Sequence, residues 1–106
     1  MPTIIEGKVA ATVMEVFEVE PRDQRGLVST LDRANVEIFQ FLPGFVSASV
    51  HRGVDDRHVG TYAQWSSADA YAAALVHPKV QELTRILSSF PHPEPALYHV
   101  AAVCER

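Results

Sequence analysis

Phe45-Val46-Ser47-Ala48-Ser49-Val50-His51-Arg52, a break at Gly53-Val54-Asp55-Asp56-Arg57, then His58-Val59-Gly60-Thr61-Tyr62-Ala63-Gln64-Trp65 form the stretch on which the fold turns. Two runs rich in β-branched and aromatic residues flank a short turn of Gly and Asp, which is the pattern of a β-hairpin. Before it, Pro21 to Leu42 carries Leu27, Leu31, Ala34, Ile38 and Leu42 at three- and four-residue steps. That spacing predicts an amphipathic helix, opened by Pro21, weakened at Gly26 and stopped by Pro43-Gly44. After the hairpin, Ser66 and Asp69 have the spacing of an N-cap and its acidic partner, and Asp69 to His77 is Ala-rich. Pro78 interrupts, and Lys79 to Phe90 continues as a helical segment through Val80, Leu83 and Leu87.

Two further strands lie outside these elements. Lys8 to Glu18 contains no Gly or Pro, is rich in β-branched residues and closes at Glu20-Pro21. Leu97 to Cys104 follows the rigid connector Pro91-His92-Pro93-Glu94-Pro95. The order strand, helix, strand, strand, helix, strand is the split βαβ of a ferredoxin-like α+β fold with a four-stranded antiparallel sheet. Helices then cover one sheet face, and the other face should alternate to polar residues. Strand one does not: Val9, Ala11, Val13 and Phe17 lie on one side, and Ala10, Thr12, Met14 and Val16 on the other. Strand four repeats this, with Leu97, Ala101 and Val103 against Tyr98, Val100 and Ala102. A homodimer with face-to-face sheets is expected, since a bare apolar face of that size is rare on a monomer.

Composition narrows the function classes. The chain has 106 residues, 47% of them hydrophobic and 21% charged, which fits one globular domain spanning residues 1–106. The net charge is -4 and no run of Lys or Arg builds a basic face, so nucleic acid is not an expected partner. The single Cys104 has no internal partner. Met1-Pro2-Thr3-Ile4-Ile5-Glu6 lacks the basic and long apolar regions of a signal peptide, and no apolar run approaches the ~20 residues of a membrane span. A cytoplasmic protein is expected.

The common catalytic signatures are missing. His51, His58, His77, His92 and His99 show no His-x-x-x-His spacing, and no metal site is expected. The scattered glycines form no phosphate loop, and no nucleophile elbow is present. Nothing in the sequence points to flavin, nicotinamide or iron, so no cofactor is expected.

The residues that do stand out are Pro43-Gly44-Phe45 entering strand two and Tyr62-Ala63-Gln64-Trp65-Ser66 closing strand three. To these add the helix opened by that Ser and the pair His77-Pro78 some ten residues later. In these features the chain resembles the antibiotic biosynthesis monooxygenase family of small dimeric α+β barrel proteins. The resemblance implies the ferredoxin-like fold, the homodimer, and oxidation of a phenol or anthrone of an aromatic polyketide to a quinone by dioxygen without a cofactor. It also implies a pocket between sheet and helices holding Trp65, Tyr71, His51, Thr61 and Arg85.

Physical chemistry suggests what each group would do there. A phenol with a pKa of about 10 donates electrons readily only after losing a proton. His51 is the candidate base, with a reference pKa of about 6.5. Arg85 is the candidate oxyanion partner. Tyr71 and the Trp65 indole N–H are candidate donors to bound oxygen or a peroxide, and Thr61 a candidate for orienting a carbonyl. Alternation puts Thr61, Ala63 and Trp65 on one face of strand three. If Arg52 pairs with Arg57, His51 lies on the other face; if Arg52 pairs with His58, His51 joins the Trp65 face, and the resemblance favours that second register. Trp65 and Tyr71 are equally legible as core aromatics, His51 as a solvated hairpin residue and Arg85 as a surface charge.

Two rival readings follow from the same fold. Thr61 stands where the family's aromatic-polyketide enzymes often carry Asn, which leaves room for a non-catalytic binding or accessory protein. Related barrels that degrade haem use an early-strand Asn and a helix His, whereas here strand one offers Val13, Met14 and Glu15 and the only helix His is His77.

Overall fold

The computed structural model describes residues 7–93 and 95–106, and their side chains from Ala10 onward. The reading of Met1 to Glu6, the side chain of Val9 and the place of Glu94 in the connector lie outside the described residues. The elements are β1 (Gly7–Glu18), α1 (Pro21–Glu37), a 3-10 turn (Phe39–Phe41), β2 (Phe45–Arg52), β3 (His58–Trp65), α2 (Ala68–Leu75), α3 (Pro78–Leu87) and β4 (Ala96–Val100). All pairings are antiparallel and the strand order is β2-β3-β1-β4, the expected ferredoxin-like α+β sheet. Among the described residues no helix is long and apolar enough to cross a membrane.

The register sorts the side chains between two faces. Ala11, Val13, Glu15 and Phe17 of β1 lie opposite Trp65, Ala63, Thr61 and Val59 of β3, and Ala48 and Val50 of β2 lie opposite Ala63 and Thr61. Because side chains alternate, this whole set shares the helix-covered face. Phe17 and Val59, each fully buried, pack with Leu27, Leu31 and Ala34 of α1 and with Leu83 and Leu87 of α3. Burial of each large side chain there contributes about 2 kcal/mol. A second cluster gathers Val13, Trp65 and Ala74 with Phe39, Leu42, Phe45, Ala70 and Tyr71. On the other face Met14, Val16 and Tyr98 remain between 43% and 49% exposed.

Some boundaries differ from expectation. The first helix stops at Glu37 instead of running to Leu42. Ile38 leaves helical geometry (φ -123°, ψ -70°), and the following 3-10 turn swings Phe39 and Leu42 toward Trp65. Leu42 is extended (φ -85°, ψ 142°), the conformation that the ring of a following proline favours. The N-cap of α2 is Ser67, whose hydroxyl accepts from the Ala70 N–H at 3.1 Å, not Ser66. Ser66 instead donates its N–H to the Gly44 carbonyl at 2.7 Å. The last strand covers Ala96–Val100, shorter than the expected Leu97 to Cys104. Gly7 is already opposite Val100, so within the described residues β1 offers no further partner to the chain beyond it, and residues 101–106 lie exposed outside regular structure.

The hairpin register matches neither expected alternative and lies one step beyond the favoured one: Arg52 pairs with Val59 and His51 with Gly60. The loop sets it. Gly53 N–H donates to His58 O at 2.8 Å, Asp56 adopts φ 64°, and Asp55 Oδ1 accepts from Arg57 N–H at 2.9 Å. Buried Gln24 of α1 clamps the result, its amide donating to Gly53 O at 2.9 Å and His58 O at 3.1 Å.

Candidate active site

The Pro-Gly-Phe entry to β2 has a structural task. Gly44 sits at φ +84°, and a Cβ there would lie 2.4 Å from the Ala70 Cβ and 2.9 Å from the Ser66 Oγ. Only glycine lets the β2 entrance press against the start of α2 this closely. Phe45 is thereby seated opposite Trp65, with ring centroids 5.4 Å apart and planes at 80°. Phe39 meets the same indole edge-on at 6.2 Å and 81°, and Tyr71 at 6.0 Å and 57°. Trp65, 2% exposed, is therefore held from three sides in the offset and edge geometries that aromatic rings prefer.

Beside this aromatic group lies a cavity of about 340 Å³ between the sheet and the three helices. Val13, Phe39, Phe45, Leu83 and Trp65 give it apolar walls, and Glu15, Asn35, Thr61, Tyr71, Thr84 and His92 bring polar groups to it. A few polar groups in an apolar recess of this size is the usual composition of a small-molecule site. A larger concavity, about 760 Å³, runs between α1 and the edge strand β2, lined by Arg25, Ser29, Asp32 and Gln40 among others. It lacks the buried aromatic and titratable groups that chemistry on an apolar substrate needs, so the smaller cavity is the candidate site.

The electrostatics of that cavity centre on β1. Burial raises the Glu15 carboxyl above its ordinary range, and the nearby His92 partly offsets this. Burial also raises the Tyr71 phenol, and the charge of Glu15 adds to the effect. Tyr71 therefore stays protonated and able to donate well above neutral pH. Glu15 and Thr61 are cross-strand partners, so a carboxyl and a hydroxyl stand side by side on the cavity floor.

Of the expected site residues, the fold brings together Trp65, Tyr71 and Thr61. His51 and Arg85 are elsewhere. His51 faces away from the helices with Gly60, is exposed, and lies with its Nε2 2.8 Å from the Ser49 hydroxyl. The one-residue difference in register is what moves it, because each step flips a strand's side chains to the opposite face. Arg85 points outward from α3, 73% exposed and paired with Glu82 one helical turn back. It lies between Thr84 and Ile86 on a helix whose buried stripe is Val80, Leu83 and Leu87. His77 is an N-cap: its Nδ1 accepts from the Lys79 N–H at 3.1 Å.

Glu15, Asn35, Thr84 and His92 are polar lining residues that sequence reasoning did not single out. Glu15 broke the apolar alternation on the inward face of strand one, and that was the available signal. His92 gave none beyond its setting between prolines. Its position comes from the fold: Glu18 N–H donates to Pro91 O at 2.9 Å, and the His92 ring rests on Phe17 at 4.5 Å.

No protein-family model matches the chain. It is 33% identical over 100 residues, 94% of its own length and 89% of the relative's, to tetracenomycin-F1 monooxygenase of Streptomyces glaucescens. Its structure is similar to that of a monooxygenase from the gene ActVA-Orf6 of Streptomyces coelicolor, solved with the ligand nanaomycin D. There the TM-score is 0.80 at 30% identity, covering 93% of this chain and 94% of the other. The fold alone is shared with SnoaB of Streptomyces nogalater, a cofactor-independent oxygenase, at TM-score 0.76 and 24% identity over 92% of this chain and 98% of that one. With 33% identity extending over 94% of its length, the chain belongs to the antibiotic biosynthesis monooxygenase family.

Proposed function

We propose that this monooxygenase oxidises a phenol or anthrone of the aromatic polyketide class to a quinone, taking its electrons from the substrate itself. The observation that carries this reading is the cavity beside Trp65. Trp65, Phe39 and Phe45 contribute to its apolar lining, and hydrogen-bonding groups reach it from both the sheet and the helices. The relatives named above are monooxygenases of the same fold, one of them solved with nanaomycin D.

In the overall reaction a ring CH2 of an anthrone becomes C=O. One oxygen atom of dioxygen enters the product, and the other leaves as water with the two hydrogens lost. In this reading Thr61 orients a substrate carbonyl, while Tyr71 and the indole N–H of Trp65 donate to the oxygen that becomes negatively charged. The test is oxygen uptake with a hydroxylated anthrone and 18O-labelled dioxygen. One dioxygen consumed per quinone formed, with one labelled atom in the quinone and one in water, is expected. Stoichiometric ligand binding with no uptake would replace the enzyme reading by that of a carrier.

We further propose that two copies associate through the open sheet face, where Met14, Val16 and Tyr98 lie exposed, and that the enzyme works in the cytoplasm, where an exposed free Cys104 remains reduced. Light scattering at low micromolar concentration should give about 23 kDa, twice the chain mass of 11.7 kDa. A monomeric mass there would refute the dimer.

A further inference from the structure

With His51 and Arg85 outside the cavity, the proposed oxidation lacks an obvious proton acceptor among the residues first expected to supply one. Substrate deprotonation must come first, because the neutral phenol or anthrone is a poor electron donor. His92 meets the geometric requirement. Its Nδ1 lies 2.7 Å from the Phe90 carbonyl oxygen, which only accepts, so Nδ1 carries the ring proton. The Nε2 lone pair of the neutral ring is then unprotonated at the cavity wall, 4.0 Å from Glu15 Oε2. Both side chains are mostly buried, with 21% and 23% exposure remaining.

We propose that His92 is the general base of this site and that Glu15 acts through it, stabilising the imidazolium that proton transfer creates; the assignment rests on the monooxygenase reading above. The hydroxyl or ring C–H proton passes to His92 Nε2, and its bonding pair stays on the substrate as a phenolate or enolate. That anion gives two electrons to dioxygen as a carbon–oxygen bond forms. The peroxide takes the proton back from Nε2. Loss of water, carrying away the remaining ring hydrogen, leaves the quinone. His92 thus returns to its starting state, and nothing besides substrate and dioxygen is consumed. Among the described residues, the titratable groups lining the cavity are Glu15 of β1, Tyr62 of β3, Tyr71 of α2 and His92; α1 and α3 contribute Asn35 and Thr84 but no charge.

His92→Phe is the direct test, since it keeps a ring against Phe17 and removes both nitrogens. Ligand-induced quenching of Trp65 fluorescence should persist, while kcat falls about 10²–10⁴-fold. The residual rate should climb about tenfold per pH unit, as hydroxide or pre-ionised substrate replaces the missing base. His92→Ala with added imidazole should recover part of the lost rate. Glu15→Gln should leave quenching intact and lower kcat less than the His92 substitutions do, with the acid limb of the kcat profile moved to lower pH. Wild-type turnover in His92→Phe, or a reduced rate that does not vary with pH, overturns the proposal, as does loss of quenching along with activity. An inactive wild-type protein would instead refute the monooxygenase reading itself.

Discussion

Gly44→Ala is the change whose consequence the structure determines most closely. The backbone there is left-handed, at φ +84°, which costs an L-residue with a Cβ about 1–2 kcal/mol. The new methyl would sit 2.4 Å from the Ala70 Cβ, far inside an ordinary carbon–carbon contact of about 3.5–4 Å. Ala70 belongs to α2 and cannot rotate out of the way, so the helix must shift or the strand entrance must open. Overpacking of that kind costs about 1–3 kcal/mol. Together these give a loss of about 2–5 kcal/mol, a large share of the ~5–15 kcal/mol that holds a domain folded. For a domain of this size that is a Tm drop of about 10 °C or more.

The two contributions can be separated. In an Ala70→Gly background the clashing methyl is gone, so Gly44→Ala should cost the backbone strain, about 1–2 kcal/mol, and a small shift of the Ser66 hydroxyl, which lies 2.9 Å from the new Cβ. Ala70→Gly by itself costs about 1 kcal/mol in helix propensity. The coupling in the double-mutant cycle is then about 1–3 kcal/mol, read from urea denaturation by circular dichroism at one fixed protein concentration. Equal costs of Gly44→Ala in both backgrounds, or a single-mutant cost below about 1 kcal/mol, would refute the reasoning. Because the same contact positions Tyr71 against Trp65, the single variant should also lose turnover under conditions where it remains folded.

Trp65→Phe should keep the fold at a cost of about 1–3 kcal/mol and lower quinone formation about tenfold or more by removing the indole donor; a stability loss with full activity would take Trp65 out of the chemistry. Tyr71→Phe, which deletes only the hydroxyl, should lower kcat with little change in Tm or in quenching of Trp65 by a planar ligand. For Glu15 the sign follows from its raised carboxyl: below the unfolded value, about 4.5, both states are protonated and no penalty exists. The penalty grows as pH rises from there through the folded value, so Glu15→Gln should raise Tm at neutral pH and match wild type below about pH 4. Chelators should leave the rate unchanged, and a chelator-sensitive rate would contradict oxidation driven by the substrate's own electrons.

Sequence by itself determined the architecture, because its signals are local. The β-branched runs around Gly53 to Arg57 specify β2 and β3 to their observed ends, and the three- and four-residue steps of Leu27, Leu31 and Ala34 specify the buried stripe of α1. Trp65 and Tyr71 were legible for the same reason: a strand end and the first turns of the next helix lie close whatever the rest of the fold does. The position of His51 was beyond that reach. Its face depends on whether Arg52 meets Arg57, His58 or Val59, and the observed choice is held by Gln24, from another element, clamping two loop carbonyls. Arg85 failed differently, since helical spacing locates the buried stripe but a residue beside that stripe turns to solvent and to Glu82. Glu15 and His92 are distant in sequence, and no spacing rule joins them. Tertiary structure alone brought them together, through the Glu18–Pro91 backbone hydrogen bond and the tilted contact of the His92 ring with Phe17, contacts that exist only once β1 and the chain after α3 have packed against each other.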